Sequence, residues 1–206
     1  MSEQYDARDC FLEPPASAAI AAKLLSAAAD SLMASDIGKA RRLIVEADIQ
    51  DLGVFGRKMM GSTIPEIHQY RDIPGAPSEN SGHGQRMPTK KFEYGIFARD
   101  NWSCRFCGVR GVDPRARKVI TSLFPDETRW AGKDKDKHHA FLALSLSLDH
   151  ILPYSRGGDN TDSNLLAACY PCQFGRNNWT LEEVGLNDPR MREPVNSGWD
   201  GLTRLL

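Results

Sequence analysis

The segment Leu144-Ser145-Leu146-Ser147-Leu148-Asp149-His150-Ile151-Leu152-Pro153-Tyr154-Ser155-Arg156-Gly157-Gly158-Asp159-Asn160 opens with leucine at every second position. That period belongs to a strand with one face buried. The run arrives at a carboxylate and an imidazole, Asp149 and His150, and Gly157-Gly158 then turns the chain. Strict alternation would send Asp149 and His150 to opposite faces of a flat strand. Both can serve one site only if the strand twists or stops there, and Pro153 with the glycine pair predicts that it stops.

Two further motifs bracket this stretch. Cys104-Arg105-Phe106-Cys107 lies upstream and Cys169-Tyr170-Pro171-Cys172 downstream. In a chain with no export signal, paired Cys-x-x-Cys spacings favour metal over disulfides. Four thiolates at Cys104, Cys107, Cys169 and Cys172 make a closed tetrahedral zinc site, which is structural because no coordination position is left for water. Four unrelated buried cysteines would be a poor account of the repeated spacing. Cys10 stands apart and reads as a free thiol near a mobile end.

The chain has 206 residues, 41% of them hydrophobic and 26% charged, with a formal net charge of -1. These values suit a globular protein and give no basic excess of the kind that marks many nucleic-acid binders. Charge is uneven, however: basic residues outnumber acidic ones between Arg86 and Arg176. No apolar run approaches the roughly 20 residues needed to span a bilayer. No basic segment followed by an apolar core opens the sequence. A cytoplasmic location without membrane association is expected.

Residues 1–60 read as an N-terminal helical region. Helical periodicity runs from Ala16 to about Ala34, Ser35-Asp36 stops and re-caps it, and a second helix follows from about Ile37 to Asp51. This hairpin is either a dimerisation arm, giving a homodimer through the N-terminal helices, or a lid packed on the rest of the chain. Residues 61–89 are rich in proline and glycine and read as a linker, with His68 and His83 as solvated loop histidines. Residues 90–182 form the compact domain. There Phe92–Asp100 and Arg115–Phe124 are predicted helices, the latter started by Asp113-Pro114 and ended by Pro125. Lys133 to His139 reads as a solvated basic loop. A short helix is expected at Leu181–Val184 with Thr180 as its cap, Trp179 as a core or cap residue, and residues 183–206 as a loose tail. The fold class is α+β.

The ordered set Cys-x-x-Cys, Asp-His-Ile-x-Pro-x-Ser-x-Gly-Gly, Asn164-Leu165, Cys-x-x-Cys resembles the HNH endonucleases, a ββα-metal (His-Me finger) family stapled by zinc. The resemblance covers roughly Phe92 to Asn178. It implies that His150 is the general base that takes a proton from water, work suited to an imidazole near neutral pH. It further implies that Asp149 is a ligand of a catalytic Mg²⁺ or Mn²⁺ and that Asn164 hydrogen-bonds across the connecting loop. Family members carry Asn or His directly after the last cysteine as the second ligand. Gln173 stands there instead, so Gln173 or Asn177, four residues on and on the same helical face, would complete the shell. Arg156 and Arg176 would contact the nucleic acid, for which double-stranded DNA is the expected substrate.

The implied function is a metal-dependent endonuclease that hydrolyses DNA phosphodiester bonds. Two alternatives stand beside it. One is a zinc-stapled nucleic-acid-binding module with weak or no catalysis, and the other is a zinc domain that serves as a platform for other proteins.

Overall fold

The computed structural model describes residues 7–60, 64, 67–77 and 87–206. His83 and the greater part of the glycine-rich stretch around it lie outside the described residues. Among the described residues eight helices surround one two-stranded sheet, an α+β arrangement.

Three helices come first: α1 (Ser17–Met33), α2 (Ile37–Glu46) and α3 (Gln50–Met60). Asp36 re-caps the chain as expected, its side chain accepting from the Lys39 N–H. The second predicted helix is divided, because the turn at Ala47–Ile49 starts α3 on a new axis. α4 (Lys90–Arg99) and α5 (Pro114–Leu123) follow, the latter capped by the Asp113 side chain on the Arg115 N–H. Pro125 both stops α5 and begins α6 (Pro125–Thr128). Proline fits a first turn, where no N–H is needed.

The alternating run is shorter as a strand than its pattern suggests. Leu144 closes α7 (His139–Leu144), and β1 runs only from Leu146 to His150. β2 (Leu165–Cys169) pairs antiparallel with it, Leu146 opposite Cys169 and His150 opposite Leu165. α8 (Tyr170–Arg176) leaves β2 without a linker. Two strands alone are marginal in water, and here both faces are covered. Ile96 and Phe97 of α4 pack with Leu146, Leu148, Leu165 and Ala167 on one face, and α8 contacts the hairpin from the other. Buried Asp100, at the end of α4, accepts from the Ala167 N–H at 2.8 Å and from Arg99 at 2.9 Å, which pins α4 to β2.

The N-terminal hairpin is a lid within its own chain. Ala21, Ala22, Leu25, Ala28 and Ala29 of α1 are fully buried in the same core as α7 and the cysteines. α3 packs on α7 and α8, and Gly175 admits this contact, since a Cβ there would lie 2.9 Å from the Met59 methyl. The expected loose tail is likewise docked. Leu202 is fully buried, the Trp199 indole donates to the Gly111 carbonyl at 2.6 Å, and Arg204 reaches the Ser26 carbonyl at 2.9 Å. Residues 181–185 form turns rather than a helix, although Thr180 and Glu183 exchange the hydrogen bonds of a capping box.

Two histidines that read as solvated are buried. His68 lies between the rings of Phe11 and Tyr70, and its Nδ1 accepts from the Ile64 N–H at 3.1 Å. Tyr70 in turn stacks on Trp179 at 4.4 Å. His138 has no exposed surface, and its Nε2 meets the Ile44 carbonyl at 2.8 Å, joining α2 to the start of α7. The charged tract before it is exposed as expected, but its last histidines turn inward.

Burial holds the His138 imidazole below its usual range, against the opposing pull of the Ile44 carbonyl and Asp48, with Arg129 and His139 also nearby. The unfolded chain therefore binds this proton more readily than the folded one. The stability His138 contributes is present above the unfolded value of about 6.5 and is lost as pH falls below it. Chemical denaturation from about pH 7.5 to about pH 5.5 should show falling stability. His138→Gln, which keeps a donor for Ile44 without a titrating ring, should flatten that slope.

Candidate active site and metal centre

The Cys104–Cys107 knuckle follows α4, and Cys169 and Cys172 lie where β2 becomes α8. The four Sγ atoms all lie within 4.8 Å of one another. Cys107 Sγ and Cys169 Sγ are 3.7 Å apart, close to the roughly 3.8 Å edge of a tetrahedron with zinc–sulfur bonds of about 2.3 Å. The set fits zinc. Burial opposes ionisation of Cys104, yet hydrogen bonds from the other three hold it well below the ordinary thiol range, while the same contacts push Cys107 and Cys172 well up. Cys10 is a free thiol, as expected, but it is buried. Burial and neighbouring Glu13 push it up to about 12.

β1 ends at His150, and that resolves the alternation problem. Asp149 and His150 line one cavity of about 300 Å³ together with Gln173 and Asn177. Asn164 spans the connecting loop. Its Oδ1 accepts from the Leu152 N–H at 2.9 Å, and its Nδ2 donates to the Asp159 carbonyl at 2.9 Å and the Leu152 carbonyl at 3.2 Å. Gly158 makes this closure possible. A Cβ on it would sit 1.8 Å from the Leu152 carbonyl oxygen.

The His150 Nε2 lies 2.9 Å from Oδ1 of Asn160. An amide oxygen only accepts, so in the neutral ring Nε2 carries the proton and Nδ1 holds the lone pair. Asn160 escaped the sequence reading because it sits in a Gly-Gly-Asp-Asn run whose composition reads only as a turn.

Arg176 and Arg156, expected at phosphate, are turned inward. The Arg176 side chain is 1% exposed and forms a fork with the Asp149 carboxylate, Nε to Oδ2 at 2.8 Å and Nη2 to Oδ1. It also donates to the carbonyls of His150, Ile151 and Trp179, so all five of its N–H groups are used. Removing one partner of such a buried pair costs about 3–5 kcal/mol, since the other charge is stranded. Arg156 reaches the Asn178 carbonyl at 3.1 Å and Glu183 at 3.1 Å. Arg99 and Arg105 are similarly engaged with Asp100. The charge pattern in the sequence carried no sign of these internal acceptors.

Gln173 holds α8 to β1. Its Oε1 accepts from the Ser147 hydroxyl at 2.5 Å, and its Nε2 donates to the Leu148 carbonyl at 2.8 Å. Asn177 does not continue the helical face, because α8 ends at Arg176 and Asn177 takes φ +51° as its C-terminal cap. The cavity wall thus offers one carboxylate and two amides. Asp149 Oδ1 already accepts from Arg176 and from the His150 N–H at 2.9 Å, and Oδ2 keeps one lone pair. An all-oxygen set of this kind fits a hard divalent cation. The Arg176 guanidinium offsets the charge of Asp149 at this wall.

Zinc content gives a direct check on the cysteine cluster. Purified protein should hold about one zinc per chain. A strong chelator should expose the four clustered thiols to a thiol reagent with loss of folded structure, whereas Cys10 stays unreactive until then.

No curated protein and no solved structure matches the chain. No described helix is long and apolar enough to cross a membrane. Residues 133–173 match the family model described as HNH endonuclease, a segment that holds β1, the Asn164 loop, β2 and the beginning of α8. The hairpin ending in Asp149-His150 and the start of the helix leaving β2 therefore lie in a segment similar to the HNH endonuclease family, and the four clustered cysteines beside it fit a zinc site.

Proposed function

We propose that the protein is a metal-dependent endonuclease that hydrolyses DNA phosphodiester bonds with His150 as general base. The observation that carries this reading is the His150–Asn160 hydrogen bond, which leaves Nδ1 as the basic nitrogen in a cavity shared with Asp149. His150 Nδ1 takes a proton from a water molecule as its oxygen attacks phosphorus. The bond from phosphorus to the 3′ oxygen breaks, and the departing oxygen gains a proton from solvent, which leaves a 5′ phosphate and a 3′ hydroxyl. Asn164 keeps the loop closed behind the base, and Asn160 keeps its ring in one tautomer and one orientation. Mg²⁺ or Mn²⁺ held by Asp149 with Gln173 or Asn177 would supply charge neutralisation at the phosphate and the leaving oxygen. Structural zinc at the four cysteines would stay outside this chemistry, with no open coordination position. DNA is the proposed substrate, with the double-stranded form as the starting case. One site cuts one strand, so a double-strand break takes a homodimer, through the exposed side of the N-terminal helices, or two encounters.

One observation favours a second reading, a nucleic-acid-binding module with little catalysis. Both atoms of the Gln173 amide are bonded to β1, and Arg176 offsets the charge of Asp149.

Plasmid nicking with Mg²⁺ or Mn²⁺ separates the two. His150→Ala should lose about 10²- to 10⁴-fold in rate, the usual share of a general base. Asn160→Ala should lower kcat by up to about 10²-fold through misorientation of the ring, with little change in KM. Unchanged nicking by His150→Ala would sink the mechanism. Absence of nicking by the wild type in either metal would favour the binding module.

Gln173 has its own test. Gln173→Asn or Gln173→His should change the metal preference of nicking while zinc content stays constant. An identical metal profile in both variants would remove Gln173 from the cation site and leave Asn177.

A further inference from the structure

Most of α8 is committed to the interior, and Phe174 is its exception. Cys172, Gly175 and Arg176 are buried, while Phe174 is 55% exposed. An exposed phenylalanine forfeits much of the burial free energy that a polar residue would not have needed there, and single exposed apolar residues are common. Three features set this one apart. It lines the cavity that holds Asp149 and His150, together with Tyr154 and Met87. Its ring meets Tyr170 edge-on, at 5.8 Å between centroids and 89° between planes. Tyr170 is itself fixed, its hydroxyl accepting from Arg117 at 2.8 Å, and the Arg117 guanidinium lies 4.3 Å from the Trp130 ring.

The ring is therefore held in place, with a cation behind it, at the rim of the cavity where the phosphodiester would react. A cavity of about 300 Å³ lies at the small end of ligand sites. Aromatic side chains beside positive charge are what single strands use, because every base has a face that stacks.

We propose that Phe174 is a stacking platform for an unpaired nucleobase next to the scissile phosphate. The preferred substrate is then a nucleic acid that is single-stranded, or locally unpaired, at the site of cleavage. Arg117, held against Tyr170 and Trp130, supplies positive charge behind that platform. This inference rests on the hydrolytic reading above for the place of the phosphate and refines its substrate from duplex to unpaired DNA.

The test uses the full chain carrying His150→Ala, so that binding is measured without cleavage. Fluorescence anisotropy would compare a single-stranded oligonucleotide with its duplex, and a 2-aminopurine base in the single strand would report stacking. Phe174→Ala should weaken single-strand binding about tenfold or more, with a smaller effect on the duplex, and should abolish the quenching of 2-aminopurine. Phe174→Trp should restore both. Since Phe174 is exposed, the thermal midpoints of these variants should match their parent.

Equal losses on single strand and duplex, a preference for duplex, or unchanged quenching in Phe174→Ala would each overturn the proposal. So would a failure of both oligonucleotides to bind. If His150-intact protein cleaves nothing in any metal while the stacking signal persists, the hydrolytic reading falls and the platform stands.

Discussion

The guanidinium of Arg176 is the interaction on which the rest of the site depends. It joins four things that lie apart in the sequence: the end of β1, the first residue of the connecting loop, the last turn of α8 and the chain beyond it. A buried charge is tolerated only when it is paired and its hydrogen-bonding capacity is filled. Both conditions are met, so the carboxylate of Asp149 and the carbonyl of His150 are held in place by a group that never reaches solvent. The strand can stop at His150 because its last carbonyls have a partner other than a third strand.

Around that pair several further contacts hold α8 and the hairpin in place. The cysteine cluster joins the turn after α4 to the start of α8, which fixes the helix from its N-terminal end while Arg176 fixes it from the other. Gln173 ties its middle to β1. The N-terminal helices and the C-terminal segment cover apolar surface that a two-stranded sheet and short helices would otherwise expose. A small domain gains most from such covering, since its own core is limited. Asp149 and His150 line a cavity whose wall also includes Gln173 and Arg176, with an exposed aromatic at its rim.

Much of this was legible in the sequence where a local rule applied. Cysteine spacing marked the cluster, because two knuckles are a short-range geometric requirement of a tetrahedral ion. Asp36 and Asp113 marked helix starts, since a cap acts within one turn. Asp149, His150 and Asn164 were identified by their order along the chain, and the structure brings the first two to one cavity with the third across the loop behind them. What failed were statements about environment. His68 read as a loop histidine because it falls in a proline- and glycine-rich segment, and His138 because it ends a charged tract, whereas their neighbours in space are Phe11, Tyr70 and α2. Arg156 and Arg176 read as phosphate contacts because a sequence does not list the carbonyls and carboxylates that long side chains can reach.

The sequence by itself determined the type of fold, the four thiols, the strand that carries Asp149 and His150, and the glycine pair that turns the chain after it. Each follows from periodicity, spacing or turn chemistry, which act over a few residues. Only the tertiary structure decided that Asn160 faces His150, that Arg176 spends all its donors inside, that Gln173 is bonded to β1, and that Phe174 is left at the cavity rim. Those outcomes depend on which side chains meet after the strands pair and α8 packs down, and such meetings have no fixed interval along the chain.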